Sequence, residues 1–214
     1  MAKRVSLQCH PDTPCGPLTG IDVEVSRHGS RAGLRRIALR FVASGNIKAI
    51  RVPWHVTRHE RKDELWRHTC FEAFVRVGES GAYHEFNLAP SGDWNCYRFT
   101  GYREGMALEK YADDPVIGTY IREKPLSPED RDGMAAAGMD PLDRFDTPFF
   151  MLTATLELQS TMLPLDEPWH LALSAVIEER NGRISYWALK HPPGKPDFHH
   201  EDCFALELPA AMPS

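Results

Sequence analysis

Apolar and polar residues alternate along much of this chain, and this period of two is the feature that most restricts its fold. The clearest run covers residues 150–158, and similar runs cover residues 37–41 and 171–177. Successive side chains of a β-strand point to opposite faces, so each run predicts a strand with one face in a core. A chain built from such runs is expected to be all-β.

A turn signal lies between two of these runs. Asn181-Gly182 tolerates the positive φ angles of a tight hairpin, so residues 169–180 and 183–190 are expected to pair antiparallel. Short strands separated by turns are typical of an antiparallel sandwich rather than of alternating strands and helices. We therefore predict a jelly-roll-like antiparallel β-sandwich of about eight to eleven strands.

The length of 214 residues suits a single domain with an irregular start. We predict an irregular N-terminal segment at residues 1–20 and one sandwich domain at residues 21–210. Residues 113–148 are rich in Pro, Asp and Gly and interrupt the strand pattern. Within them, Ser127 followed by Pro128 is typical of a helix N-terminus, which predicts one short helical excursion.

Composition argues against several classes of partner. The net charge is -5, and no basic patch suggests a nucleic acid. No segment approaches the roughly 18 apolar residues of a membrane span, and no signal-peptide pattern follows the first residues. We therefore expect a cytoplasmic protein. The five cysteines are scattered without a Cys-x-x-Cys pair, so reduced, non-nucleophilic thiols are expected.

Two neighbouring strand patterns, within residues 65–77 and 83–94, carry the densest polar chemistry. If their apolar residues face the core, Glu72, Phe74, Glu85 and Asn87 collect on the other face, provided that the register does not slip. Carboxylates and aromatic rings together suit a polar, ring-shaped ligand. The same pattern also describes a solvated outer face, or a general acid and base as in a glycosidase.

Two further residues follow the turn at Pro90-Ser91-Gly92. Trp94 would form an aromatic wall of the same site, and Arg98 would neutralise the two carboxylates by bidentate hydrogen bonding. We therefore predict one polar ligand site, with no catalytic residue and no metal ligand assigned.

A proline-rich loop at residues 191–200 provides a second group of candidates. Prolines restrict the backbone, so the loop would hold Lys195, Asp197 and His199 in a defined geometry. Its histidines, His191, His199 and His200, are of a type that binds transition metals. A rigid surface loop whose histidines only form hydrogen bonds explains the same pattern.

The chain resembles bacterial DOMON-like domain proteins, which are similar to family-nine carbohydrate-binding modules. The resemblance covers roughly residues 21–208. The motifs that carry it are Thr69-Cys70-Phe71-Glu72, residues 85–94 (EFNLAPSGDW), residues 97–99 (YRF), residues 102–106 (YREGM) and residues 191–199 (HPPGKPDFH).

This resemblance implies an antiparallel sandwich that binds sugar or haem. In the sugar-binding relatives, tryptophans stack on the ring and polar groups bind its hydroxyls. The nearest candidates here are Trp66 and Trp94 for stacking, and Glu72, Glu85, Asn87 and Arg98 for hydroxyls. In the haem-binding relatives, Met with His or Lys holds the iron, and Met106 with a histidine would take those places.

Three functions remain open from the sequence. The first is a non-catalytic module that binds a sugar-like or other small polar molecule. The second is a haem-binding redox or sensor domain, and the third is a carbohydrate-active or metal-assisted hydrolase. The expected cytoplasmic location favours a small soluble ligand over a polysaccharide.

Overall fold

Antiparallel strands make up most of the architecture. The structure is a computed structural model, and it describes residues 2–29, 35–53, 59–110, 112–125, 127–136, 147–158, 164 and 166–210. The strands are β1 (Lys3–Cys9), β2 (Leu18–Gly29), β3 (Arg35–Gly45), β4 (Cys70–Val77), β5 (Tyr83–Leu88), β6 (Trp94–Phe99), β7 (Ala107–Leu108), β8 (Val116–Arg122), β9 (Phe149–Leu158), β10 (Trp169–Glu178), β11 (Ile184–Ala188) and β12 (Leu206–Leu208), with one α-helix, α1 (Pro128–Ala136).

The strands form two sheets that share β1. The first sheet has the order β1-β2-β3-β9-β8, and the second has the order β7-β6-β5-β4-β10-β11, with β12 also paired to β10. Strand β1 pairs with β2 through Lys3 to Leu7 and with β11 through Gln8 and Cys9. Every ladder between these strands is antiparallel. The predicted all-β sandwich is confirmed.

The main core lies between the two sheets and follows the alternation. Phe71 of the second sheet is fully buried. Its ring lies 5.1 Å from that of Phe41 and 5.7 Å from that of Phe150, both in the first sheet. The inward positions of each strand supply the rest of this core, so the period-two runs identify its members.

The outer face of the second sheet is also covered. Strands β4, β5 and β10 are buried on both faces over most of their length. The covering segment is the proline loop, residues 191–200, together with the residues that follow it. Its apolar side chains and those of the sheet form an outer cluster of Phe74, Tyr83, Tyr97, Phe99, Ala172, Val176, Ala188, Phe198, Cys203 and Phe204.

The hairpin expected at Asn181-Gly182 is present. Strand β10 pairs with β11 from Ser174↔Ala188 to Glu178↔Ile184. The turn is closed by the amide of Gly182, which donates to the carbonyl of Glu179 at 2.9 Å. Gly182 takes a positive φ of 88°, a conformation that glycine adopts without strain because it has no Cβ.

Two segments that were expected to be irregular contain strands. Residues 1–20 include β1, and residues 113–148 include β8, which is an edge strand. Strand β8 is mostly exposed, and its sequence shows little alternation. In β1, Val5, Leu7 and Cys9 do alternate with polar residues and pack against the main core, so the prediction overlooked a strand signal there. The expected short helix is present as α1, and Ser127 Oγ accepts a hydrogen bond from the amide of Asp130 at 3.1 Å. In the described part of the chain, no helix is long and apolar enough to span a membrane.

Candidate ligand-binding pocket

A pocket of about 310 Å³ lies on the outer face of the second sheet, under the proline loop. Its floor is formed by strands β4, β5, β6, β10 and β11. Its walls come from the short 3-10 helix Leu65–Arg67, the loop at residues 100–106 and the proline loop. The residues that line it are Trp66, Glu72, Glu85, Phe99, Arg103, Met106, Val176, Tyr186, Pro196, Phe198 and His199.

Strand register brings the acidic residues to the floor. Glu72 lies opposite Asn87, and Phe74 lies opposite Glu85, so all four side chains share one face. The two glutamates are diagonal neighbours, a relation that separates Cα atoms by about 7–8 Å and lets long side chains meet. The pocket therefore has two carboxyl groups side by side on a rigid sheet.

Both carboxyl groups are deeply buried and only partly bonded. Glu72 is 2% exposed and Glu85 is 5% exposed. Ser174 Oγ donates to Glu72 Oε2 at 3.0 Å, and Asn87 Nδ2 donates to Glu85 Oε1 at 2.7 Å. Within the described residues, no group donates a hydrogen bond to Glu72 Oε1 or Glu85 Oε2. Each carboxyl group thus has one oxygen available to a ligand.

Burial changes the protonation of this pair. Desolvation and the neighbouring Glu85 raise the pKa of Glu72 to about 8. Desolvation raises the pKa of Glu85 to about 7, against the opposing effects of the Asn87 hydrogen bond and the charge of Arg103. Two such close groups titrate as a pair. Near neutral pH the pair therefore retains part of its protons and can both donate and accept hydrogen bonds.

His199 faces the pair from the proline loop. The amide of Arg103 donates to Tyr83 Oη at 3.3 Å, so the Tyr83 hydroxyl is free to donate to His199 Nδ1, 2.7 Å away. This network assigns the imidazole proton to Nε2. Burial and the Arg103 charge lower the pKa of His199 to about 4, so the ring is neutral near pH 7.

The side chains of His199 and Glu85 are close enough for one ligand group to form hydrogen bonds with both. Nε2 of His199 lies 3.8 Å from Oε2 of Glu85, which is too long for a direct hydrogen bond. A hydroxyl oxygen to the side of the pair, about 2.8 Å from each atom, would accept from Nε2 and donate to Oε2. The geometry is suited to a hydroxylated ligand.

The proline loop is fastened to the loop at residues 100–106 through Asp197. Oδ1 of Asp197 accepts from Arg103 Nη2 at 2.8 Å and from Arg103 Nε at 3.2 Å. Its carboxylate also accepts from Tyr102 Oη and from the amide of His199. Arg103 takes a left-handed backbone conformation, with φ of 56°. We call this set of contacts the Asp197 clamp, and it holds two walls of the pocket together.

Breaking the Asp197 clamp is expected to cost a modest amount of stability. We expect Asp197→Ala to lower the free energy of unfolding by about 1 kcal/mol, because the ion pair is partly exposed and so weakened by solvent. Urea denaturation measures this change. The control is Asp202→Ala, which removes a more exposed carboxylate near the same loop and should cost less than about 0.5 kcal/mol. Equal losses in the two variants would contradict the role of the clamp.

The structure brings most of the candidates from the sequence to this region. Glu72, Glu85, Trp66 and His199 line the pocket. Asn87 lies beneath it, bonded to Glu85, and Asp197 forms the clamp. Lys195 lies outside, where it lines a neighbouring shallow cavity with Tyr102, Arg103 and Pro196.

Two candidates lie on the opposite face of the sheet, which corrects the grouping expected from the sequence. Trp94 pairs with Leu88 and is buried in the main core, 1% exposed. Arg98 pairs with His84, which in turn pairs with Val75, so its position shares the core side of the sheet. The register of β6 places its odd-numbered residues toward the pocket instead. Trp94 therefore forms no wall of the pocket, and Arg98 cannot neutralise the glutamates.

Several lining residues were missed. Phe99 and Tyr186 lie at outward-facing strand positions. Alternation would have identified both residues if the outer face of the second sheet had been expected to be covered. Arg103 lies in a loop that lines the pocket, and its side chain is held by Asp197, 94 positions away in the sequence. No local pattern predicts such a contact. Met106, suggested by the resemblance as a haem ligand, lies at the rim of the pocket and is 49% exposed.

The three loop histidines are each engaged separately. His191 Nε2 contacts the carbonyl of Gln8 at 2.8 Å, and His200 Nδ1 accepts from the amide of Asp202 at 3.2 Å. His199 is bonded to Tyr83. Among the residues that the structure describes, no group of three His, Cys, Asp or Glu side chains is placed to hold a metal ion.

Comparisons with known proteins support the fold and nothing more specific. No protein-family model matches the chain, and no curated protein sequence matches it. A crystal structure from Bacteroides uniformis ATCC 8492, provisionally described as that of a carbohydrate-binding protein, is similar with a TM-score of 0.53 at 11% identity. The match covers 94% of this chain and 83% of the other. At that identity the likeness concerns the fold alone: the chain is a β-sandwich similar to that of the Bacteroides protein.

Proposed function

We propose that this protein is a non-catalytic binding protein for a sugar-like or other small polar molecule, held in the pocket on the outer face of the second sheet. The observation that carries the proposal is the pair of buried carboxyl groups, each with one oxygen that accepts no hydrogen bond from the described residues. Both glutamates line the pocket, where the hydroxyl groups of a ligand can donate to these oxygens.

The remaining lining supports a ring-shaped ligand. Half-buried Trp66 and Tyr186 and the ring of Phe198 offer apolar faces around the carboxyl pair. Aromatic faces that surround a few placed polar groups are typical of ligand pockets, which range from about 300 to 1,000 Å³. The volume of about 310 Å³ is at the small end of this range and suits one ring. The description of the Bacteroides protein as carbohydrate-binding agrees with this proposal.

The described lining fits haem poorly. The flat macrocycle would rest on the sheet floor, where Glu72 and Glu85 place two carboxyl groups. An iron bonded to His199 Nε2 would have to fit within the 3.8 Å between that nitrogen and Glu85 Oε2. We therefore favour a hydroxylated ligand over haem.

A panel of monosaccharides and disaccharides, titrated by isothermal calorimetry, tests this proposal. We expect at least one sugar to bind with one-to-one stoichiometry. Trp66→Ala should weaken that binding at least tenfold, which is about 1.4 kcal/mol, because the aromatic face is lost. The control is Tyr120→Ala, which removes an exposed aromatic side chain on the first sheet and should leave the affinity unchanged.

Three results would overturn the proposal. The first is that no sugar of the panel binds at millimolar concentration. The second is that Trp66→Ala binds as tightly as the unmodified protein. The third is release of reducing sugar from a disaccharide during the titration, which would replace the non-catalytic role with that of a hydrolase.

A further inference from the structure

The charges that line the pocket are not balanced within it. Two carboxyl groups, those of Glu72 and Glu85, lie on the floor. Arg103 is the one Lys or Arg among the described lining residues, and two of its nitrogens are engaged by Oδ1 of Asp197 at 2.8 and 3.2 Å. Arg103 therefore forms its ion pair with Asp197 and not with Glu72 or Glu85.

His199 does not restore the balance. Its Nδ1 accepts from the Tyr83 hydroxyl, which leaves a neutral ring with a single donor at Nε2. A second proton would have to displace the Tyr83 hydroxyl hydrogen in a buried position beside Arg103. Among the described lining residues, therefore, no side chain provides a positive charge that is not already paired elsewhere.

We infer that the ligand of this pocket carries a protonated amine on a hydroxylated ring, as in an amino sugar, with the ammonium group bound between Glu72 and Glu85. The inference rests on the proposed function and names the class of its ligand. A neutral ligand would give the two acids hydrogen bonds but no counter-charge, and an anionic ligand would add a like charge beside them.

The number of donors favours an ammonium group over a hydroxyl group at this position. Glu72 Oε1 and Glu85 Oε2 can each accept a hydrogen bond, and a neutral sugar would have to supply two separate hydroxyl groups, one for each oxygen. An ammonium group has three hydrogens to donate and can reach both oxygens at once. A ring hydroxyl of the same molecule would then lie beside Glu85 Oε2 and His199 Nε2, which are 3.8 Å apart, and accept from the imidazole.

The aromatic walls add to the same preference. A cation close to an aromatic face is attracted by the negative face of the ring, most strongly for tryptophan. Trp66 and Tyr186 both line the pocket beside the carboxyl pair. Binding of the cation would also lower the pKa of both carboxyl groups, so protons should leave the pair when the ligand binds near neutral pH.

Matched pairs of sugars test the inference. Glucosamine, galactosamine and mannosamine are titrated by calorimetry against glucose, galactose and mannose at pH 7. We expect one of the amino sugars to bind at least tenfold more tightly than its neutral partner. Repeating that titration in buffers with different ionisation enthalpies should show proton release. At pH 5, where the carboxyl pair is protonated, the preference should fall several-fold.

The double variant Glu72→Gln/Glu85→Gln separates charge from shape. It keeps the size of both side chains and should bring the affinities of the amino sugar and its neutral partner within about twofold of each other. Glu207→Gln, which changes the exposed residue of β12, is the control and should keep the full preference. Retention of the preference in the double variant would overturn the inference.

The outcomes distinguish this inference from the function on which it rests. If sugars bind in the pocket with no preference for the amine, the inference fails and the proposed function stands. If none of the six sugars binds, and the wider panel also shows no binding, both fail together.

Discussion

Replacement of Phe71 by alanine is expected to lower the free energy of unfolding by about 3–5 kcal/mol. The ring is fully buried and contacts Phe41 and Phe150 across the interface of the two sheets. Its removal would leave a cavity between sheets whose strands are held by their ladders and cannot collapse inward. Guanidinium denaturation followed by circular dichroism measures the loss.

Two controls define this result. Phe71→Leu keeps most of the volume and should cost about half as much or less. Tyr120→Ala removes an exposed aromatic side chain from the first sheet and should cost less than about 1 kcal/mol. A Phe71→Ala variant no less stable than Tyr120→Ala would mean that the two sheets do not pack through this ring.

The second large effect concerns Glu72. We expect Glu72→Gln to raise the free energy of unfolding at every pH above about 4.5, by an amount that is about 2 kcal/mol larger at pH 8.5 than at pH 6.5. Glutamine has the shape of the protonated carboxyl group and can still accept from Ser174 Oγ. It avoids the buried negative charge that the native side chain acquires as the pH rises.

The direction of this pH dependence of stability follows from proton linkage. The folded pKa of Glu72 is about 8 and that of Glu85 about 7, both above their ordinary value of 4.5. The folded state therefore binds more protons than the unfolded state between these values, and stability is lost as the pH rises through them. Burial lowers the pKa of His199 to about 4, which has the opposite effect, but only below about pH 6.5.

Thermal unfolding from pH 6.5 to 8.5 provides the measurement. The unmodified protein should lose stability across this range, and Glu72→Gln should lose markedly less. Glu207→Gln, which changes an exposed side chain, should follow the pH profile of the unmodified protein. Parallel profiles for Glu72→Gln and the unmodified protein would show that the Glu72 carboxyl group is not buried in its charged form.

Alternation alone predicts much of the fold and part of the pocket. It places Phe71, Val75 and Phe86 toward the core, and it therefore places Glu72 and Glu85 together on the other face, as the register of β4 and β5 confirms. Once the register of two strands is known, whether a residue number is odd or even decides the sheet face on which its side chain lies.

The wrong assignments arose where the alternation along a strand was not followed, or where segments far apart in the sequence come together. Trp94 and Arg98 were assigned to the pocket from their closeness in sequence, although the register of β6 turns both to the core side. The burial of the outer face depends on a loop more than 100 positions further along the chain. The contact between Arg103 and Asp197 needs that same loop. Local patterns contain no information on such long-range contacts.

The most direct test of the central claim is a crystal structure of the protein with the tightest-binding sugar of the panel. The ligand is expected under the proline loop, with its polar groups within hydrogen-bonding distance of Glu72 Oε1 and Glu85 Oε2 and its ring against Trp66. A sugar bound instead in the separate cavity beside Lys62 and His68, with the carboxyl pair untouched, would contradict the assignment of this pocket.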